Sequence, residues 1–348
     1  MNAVHTTFNV LQGISAKLNK NVAYISEDTP ERSKYYKWVP TRSLRQVCYQ
    51  VLKAADMAWS LLKAGKVDLI FIFEHKPWYS YLLYAVCLLK GKPVFFIVHG
   101  LQQTHHNSLF HKLGFHTILF LEKHFDFWPI HLEISDQLVP DITRFTKSIV
   151  IPHPLSKGVR FATKPVDGVI NVGIVGIIRP DKPIQPLIDV LKYLHNRTDI
   201  KVAIGTAKFS LPDGFLKDNP FPIHDTTSAH DYNKFIESTH IIISNFDKDQ
   251  FYFRPSGIIN DSLAGGCVVI APNFPVFVAQ TSIPTVAGYT YDDIAEIPAL
   301  IELAKARVKE KNVRFDQWID YRQTGRIVNR ISEQISLALE HHSPPNPA

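Results

Sequence analysis

The sequence predicts an α/β fold built as two successive domains of alternating strands and helices, and three observations carry that prediction. The chain has 348 residues, about twice the length of a usual single domain. Its apolar runs are rich in β-branched and aromatic residues and are continuous rather than alternating, which marks strands of a parallel sheet covered on both faces. Such runs alternate with helix-length segments on either side of one stretch rich in Pro, Gly and Lys, IPHPLSKGVRFATKPVDG at 151–168, which reads as a linker.

In the first half a helix over Phe8–Leu18 precedes the strands NVAYIS (21–26), VDLIFIF (67–73), PVFFIVH (93–99), HTILFL (116–121), IHLEIS (130–135) and SIVIPH (148–153). Helix-length segments lie at 41–65, 77–90 and 105–114. After the linker the pattern restarts with GVINVGIVGII (168–178), a helix at 183–196, KVAIGTA (201–207), a helix at 229–238, HIIISNF (240–246), a helix at 257–264 and CVVIAP (267–272). The stretch 315–340 is amphipathic, with Phe315, Trp318, Ile319, Ile327, Ile331, Ile335 and Leu339 on its apolar side, and the tail HHSPPNPA is frayed. Ligands in such sheets bind at the carboxyl ends of the strands, so two facing Rossmann-like sheets share one cleft.

Apolar residues at 45% and charged residues at 20% exclude a disordered chain. Cys48, Cys87 and Cys267 are odd in number and far apart, which argues against a disulfide framework or a metal site and for a reducing cytosol. The opening MNAVHTTFNVLQG does not read as a signal peptide. WYSYLLYAVCLL and PVFFIVHG, parted by Lys90-Gly91-Lys92-Pro93, are each too short to span a bilayer and read as a buried helix and a buried strand. A net charge of +6 suits anionic partners, nucleotide phosphates and acidic lipid headgroups among them. The basic helix between Thr41 and Lys66 carries Leu44, Val47, Val51 and Leu52 at helical spacing; it reads as a solvated helix or as a surface resting on anionic membrane. The expected location is cytoplasmic, with room for such a peripheral contact. No nucleic-acid module is present.

The chemistry concentrates in two segments. NVGIVGIIRPDKPIQPLIDVLKYL (171–194) reads as strand, glycine turn at Gly176, a basic pair Arg179 and Lys182, then a helix with the stripe Ile184, Leu187, Ile188, Leu191 and Leu194. Pro183 and Pro186 suit its first turn. Cations between a strand end and a helix start are placed to hold phosphate, lysine as a point charge and arginine as a fork. In NFDKDQFYFRPSGIINDSLAGGCVVIAPNFP (245–275), Ser256 is a natural N-cap and Gly257 admits a ligand close to the backbone amides of the helix tip. Asp261 lies one turn on, within reach of a ribose.

Together these segments resemble the C-terminal half of retaining GT-B glycosyltransferases, family 4 above all. The spacing from Gly176 to Lys182 matches that family, as does Asp261-Ser-Leu-Ala-Gly-Gly-Cys-Val-Val, and PVFFIVHGLQ resembles its strand ending in a histidine. SDQLVPDI and KSIVIPHPL resemble its Ser-led helix and the strand entering its linker. The resemblance implies a GT-B fold, with an N-terminal acceptor-side domain at 1–153, a linker at 154–168, a nucleotide-sugar-binding domain at 169–315, and a helical segment at 316–340 returning to the N-terminal domain ahead of the tail 341–348. It implies that His99 reaches the donor sugar, that Lys182 and Arg179 stabilise the leaving nucleotide, and that Gly176, Ser256, Gly257 and Asp261 bind the donor. It also implies transfer with retention of configuration and without a metal. The sequence departs from the family where Ile177 replaces an arginine, where Phe253 replaces the first of two glutamates, where Asp261 shortens the second, and where a strand with a glycine-rich acceptor loop would open the chain.

The expected function is transfer of a sugar from a nucleotide sugar to a glycan or lipid-linked acceptor, with the nucleotide-diphosphate sugar as co-substrate and no cofactor. Two alternatives remain: a catalytically silent protein of the same fold that binds nucleotide sugars or scaffolds glycan assembly, and a nucleotide-sugar isomerase. Asp247-Lys248-Asp249 is a metal-binding tripeptide only in a different fold. His105 and His106 read as loop residues with a lesser claim on the acceptor side, and Val172–Gly176 lacks the third glycine of a dinucleotide fingerprint.

Overall fold

The computed structural model describes residues 3–25, 42–73, 80–99, 109–124, 130–137, 145, 147–155, 161, 164–166, 168–207, 210, 219–311 and 313–341. The chain divides into two compact units, one of Leu11–Ile134, Leu138–Ile151 and Val328–Ala348, the other of Met1–Val10, Ser135–Gln137 and Pro152–Ile327.

The first unit contains the second half of α1 (Ala3–Leu18), then β1 (Val22–Ile25), α2 (Arg42–Lys63), β2 (Leu69–Phe73), α3 (Ser80–Lys90), β3 (Val94–Val98), α4 (Leu109–His124), β4 (Ile130–Ile134) and β5 (Ser148–Ile151). Its strands pair in parallel in the order β1-β2-β3-β4-β5. Because spatial order follows chain order, right-handed crossovers put the connecting helices on one face. The core agrees: Met57 and Leu61 of α2, Leu83 and Cys87 of α3, and Phe115 and Ile118 of α4 pack with Ile70, Ile72, Val94 and Phe96. The alternate strand residues point the other way, where Tyr24 stacks on Phe71 at 5.9 Å and donates to the Leu11 carbonyl of α1 at 3.3 Å. A Cβ at Gly13 would come within 2.7 Å of Val328, and Lys17 Nζ donates to Asn329 Oδ1 at 2.7 Å, so the end of the chain packs on α1.

The second unit runs β6 (Ile170–Val175), α5 (Gln185–Leu191), β7 (Ile200–Thr206), β8 (Ile223–Asp225), α6 (Ala229–Ser238), β9 (Ile241–Ile243), α7 (Lys248–Phe251), α8 (Gly257–Ala264), β10 (Val268–Pro272), α9 (Pro275–Ser282), β11 (Gly288–Tyr291), α10 (Ile297–Glu310), α11 (Phe315–Tyr321) and the start of α12 (Thr324–His341). All strands are parallel, in the order β11-β10-β9-β6-β7-β8. The chain therefore winds outward twice from the middle, and the loops leaving β6 and β9 depart in opposite directions.

Several elements differ from the sequence expectation. HTILFL (116–121) is not a strand but part of α4: Phe115, Ile118 and Glu122 are buried at helical spacing while Phe120 and Lys123 are exposed. On α2 the core contacts come from Ala54, Met57, Ala58 and Leu61, whereas Val51 and Leu52 face outward; the side chains of Leu44 and Val47 lie outside the described residues. The helix expected at 183–196 is α5 followed by a 3-10 turn at Lys192–Leu194. Its stripe of Ile184, Leu187, Ile188, Leu191 and Leu194 is buried as expected, but Ile184 is the N-cap, so Pro183 precedes the helix. The amphipathic stretch 315–340 forms two helices, broken after Tyr321 where the Arg322 side chain turns inward to pair with Asp136 at 2.7 Å and to stack on Trp318 at 3.8 Å. Ser135–Gln137 form a bend in which the Ser135 hydroxyl donates to the Gln137 carbonyl, and the rest of the helix expected there, 138–144, lies outside the described residues. Among the described residues no helix is long and apolar enough to cross a membrane.

Candidate functional site

Where β6 and β9 lie side by side, the diverging loops leave a small open recess, lined by Ile174–Ile177 at the end of β6, Lys182–Ile184, Ile243–Phe246 at the end of β9, and Ile258. This is the switch point at which open α/β sheets take their ligands. Gly176 makes the turn out of β6 at φ +123°, a conformation closed to side-chain-bearing residues, and a Cβ there would meet Ile258 Cδ1 at 2.4 Å. The same glycine thus turns the strand and lets the tip of α8 come close.

The loop from Arg179 to Pro183 is fixed from both sides. Lys182 N donates to the Arg179 carbonyl at 2.8 Å, Asp247 N donates to the Asp181 carbonyl at 3.0 Å, and Asn245 Nδ2 donates to the Pro183 carbonyl at 3.0 Å. Lys182 Nζ consequently sits over two aromatic rings, 5.3 Å from the centroid of Phe246 and 5.6 Å from that of Phe251. Among the described residues no carboxylate comes within salt-bridge distance of it. Burial, reinforced by the Arg179 and Arg254 guanidinium groups and opposed by Asp181, brings its pKa down to about 8. A half-buried cation on an aromatic floor, with no acidic residue lining the recess, is a site for an anion. Arg179 contributes less directly: its guanidinium is largely exposed and paired with Asp181 at 2.9 Å.

Ser244, at the end of β9, was not singled out by sequence. The residue lines the recess, and its hydroxyl is buried with no hydrogen-bond partner among the described residues. A buried hydroxyl left in that state points to a ligand oxygen or a bound water. Its position beside Gly176 depends on the pairing of β6 with β9, which no local pattern reveals.

The third part is the tip of α8. Ser256 occupies the N-cap position, but its side chain makes no capping bond. Its backbone is bound instead by Gln280, whose amide oxygen accepts from Ser256 N at 3.0 Å and whose nitrogen donates to Ser256 O at 3.1 Å and Asn260 Oδ1 at 2.9 Å. Asn260 in turn donates to the His153 carbonyl at 2.8 Å. The first-turn amides beyond Ser256 have no intrahelical acceptor. At Gly257 an added Cβ would meet nothing within 4 Å, so packing within the chain gives no reason for a glycine there. Asp261 lies further down α8, almost buried, where its Oδ2 accepts from the Tyr232 hydroxyl at 3.2 Å. Burial first, and the carboxylate beside it second, push the Tyr232 hydroxyl pKa well above its usual value. Asp261 is thus held by a partner on α6 rather than presented alone.

His99 belongs to the other unit, half-buried just past the carboxyl end of β3. Gly100, His105 and His106 lie outside the described residues. Asp247 caps α7 by accepting from Asp249 N at 2.9 Å, which gives the Asp-x-Asp a structural role. Phe253 is buried and meets Tyr252 edge to face at 4.9 Å.

No protein-family model and no curated protein matches the sequence. Solved structures do match the fold. Anabaena HepE in complex with UDP superposes with a TM-score of 0.61 at 12% identity, covering 91% of this chain and 100% of that one. The complex of Anabaena HepE with UDP-glucose gives 0.54 at 13% identity over 82% of each chain. A glycosyltransferase from Rickettsia africae gives 0.58 at 14% identity, covering 97% of this chain and 94% of that one. The fold is that of GT-B glycosyltransferases, two parallel sheets each interleaved with helices.

Proposed function

We propose that this chain transfers a sugar from a nucleotide-diphosphate sugar to a glycan or lipid-linked acceptor, with retention of configuration and without a metal. The observation that supports the reading is the recess at the β6/β9 switch point, lined by Lys182, Ser244 and, from the adjoining helix tip, Ile258. In this reading the diphosphate accepts from Lys182 Nζ, Ser244 Oγ and the amides beginning at Gly257. Arg179 adds long-range positive charge. Asp261, oriented by Tyr232, takes the ribose, and His99 serves the donor sugar.

Breaking the sugar–phosphate bond builds negative charge on the departing phosphate oxygen. Donors already in position there supply about 2–4 kcal/mol each, because they do not reorganise as the charge develops. A hydroxyl attacking from the face that the nucleotide leaves passes its proton to that same oxygen, so no protein base is required. That UDP and UDP-glucose bind HepE supports a uridine donor as the first to test.

A second reading is favoured by Phe253. An apolar ring stands where the resemblance places a glutamate, and a protein that binds donor without turning it over would tolerate it. Purified chain is incubated with a panel of nucleotide sugars, and free nucleotide and sugar are measured alongside UDP binding. Release of nucleotide supports the transferase; UDP binding without turnover of any donor supports the silent binder; absence of both overturns the recess as a donor site.

A further inference from the structure

α2, α3 and α4 form one layer on the N-terminal sheet, α2 packed on α3 and α3 on α4. Each helix has an inner apolar stripe in the core, and each also carries a second apolar stripe on its outer side. On α2 that stripe is Val51, Leu52, Ala55, Trp59 and Leu62, residues spaced three, four and seven apart and all exposed. On α3 it is Leu82, Ala85 and Leu89, the last 80% exposed. On α4 it is Leu109, Leu113 and Phe120, with His116 between them. Of the fifteen large apolar side chains exposed among the described residues, nine lie on these three helices, which make up about a seventh of the chain. Scattered exposed apolar residues are ordinary, but a concentration on one layer marks a contact surface.

The charges around this layer are predominantly positive, with Asp68 an exposed acid close to Lys66. Parallel βα units bring the carboxyl ends of all three helices to the same edge of the sheet, and there stand Lys63, Lys66, Lys90, Lys92 and Lys123. Lys63 Nζ rests 4.9 Å from the Trp59 ring centroid, so a cation and an interfacial aromatic are already adjacent. The acidic side chains on the described parts of the three helices are Asp56, which is half-buried, and Glu122, which is buried 2.9 Å from His131. Leu, Trp and Phe bordered by lysines are what a bilayer interface selects, with apolar side chains entering the acyl boundary and ammonium groups meeting headgroup phosphates. A second copy of the chain fits less well, because a two-fold contact would bring two lysine edges together with almost no acid to offset them.

We propose that the outer face of α2, α3 and α4 docks this protein on an anionic membrane surface, the apolar stripes inserting and the lysine edge contacting lipid phosphates. Flotation of the full chain with phosphatidylcholine vesicles, with and without phosphatidylglycerol, tests it. Binding is expected to rise about tenfold with the anionic lipid and to fall with salt. The paired change W59S and F120S is expected to abolish flotation. Both side chains are more than half exposed, so circular dichroism and the melting temperature should match the parent. The paired change K63Q and K123Q is expected to lower binding to the anionic vesicles while leaving the weak binding to neutral ones. Failure of the parent to float with anionic vesicles overturns the proposal, as does a W59S/F120S variant that floats like the parent. A parent that sediments as a dimer and is returned to monomer by W59S/F120S assigns the face to a second copy and overturns it too.

Discussion

Lys182 offers a quantitative test of the anion site. Burial and the neighbouring guanidinium groups bring its pKa to about 8, whereas lysine in water titrates more than two units higher. A diphosphate binds the ammonium and gains little from the neutral amine. Its dissociation constant should therefore scale with the inverse of the protonated fraction, which falls from about nine-tenths at pH 7 to about one-tenth at pH 9. UDP affinity followed by titration calorimetry should accordingly weaken about tenfold over that interval, in a range where the diphosphate itself no longer titrates. Lys182→Met should weaken binding by about 1.5–3 kcal/mol at pH 7, the worth of a charge-assisted hydrogen bond, and flatten the profile. Lys182→Arg should keep part of the affinity and also flatten it, since guanidinium stays charged throughout. A wild-type profile that is flat between pH 7 and 9, or a Met variant that keeps the slope, would refute the assignment of Lys182 to the phosphates.

Three further substitutions separate fold from site. Gly257→Ala meets open space, so the melting temperature should stay level or rise slightly, while UDP affinity should drop at least about tenfold because the methyl group occupies the path of the anion; equal affinity would remove the helix tip from the site. Gly176→Ala forces a methyl group into a positive-φ turn and against Ile258, and chemical denaturation should register a loss of about 1–3 kcal/mol. Burial, above all, holds His153 neutral with a pKa lowered to about 4. Between about pH 6.5 and 4 the unfolded chain takes up a proton that the folded one refuses, so stability is full above that window and is lost on acidification, by about 2 kcal/mol at pH 5. His153→Gln should reduce the difference between denaturation curves at pH 7 and pH 5, and an unchanged difference would assign it to other groups.

The parallel strands were legible because residues buried on both faces leave continuous apolar runs, as in VDLIFIF and CVVIAP. That signal failed at HTILFL, since a short apolar run on a buried helix looks the same until its burial period is known. The glycine turn at Gly176, the basic loop holding Lys182 and the helix start at Ser256-Gly257 were visible because each turn there needs a particular local residue. What stayed hidden depends on distant pairing. Ser244 gains its place from β6 lying beside β9, the aromatic floor beneath Lys182 comes from the loop after β9, and Asp261 is oriented by a tyrosine 29 positions earlier. Residues 223–225 and 288–291 are short edge strands whose sequences carry too few apolar residues to announce themselves.

Gln280 does not line the recess, yet one side-chain amide binds both the N–H and the C=O of Ser256 and reaches Asn260 besides. Its own carbonyl is in turn held by Trp318 Nε1 at 2.9 Å. The attitude of the α8 tip is therefore set from behind, by α9 and α11, and a change at position 280 or 318 would be felt as a misaimed row of amides. On the proposed reading, nucleotide affinity would answer to residues that never meet a nucleotide, and screens confined to the walls of the recess would overlook them.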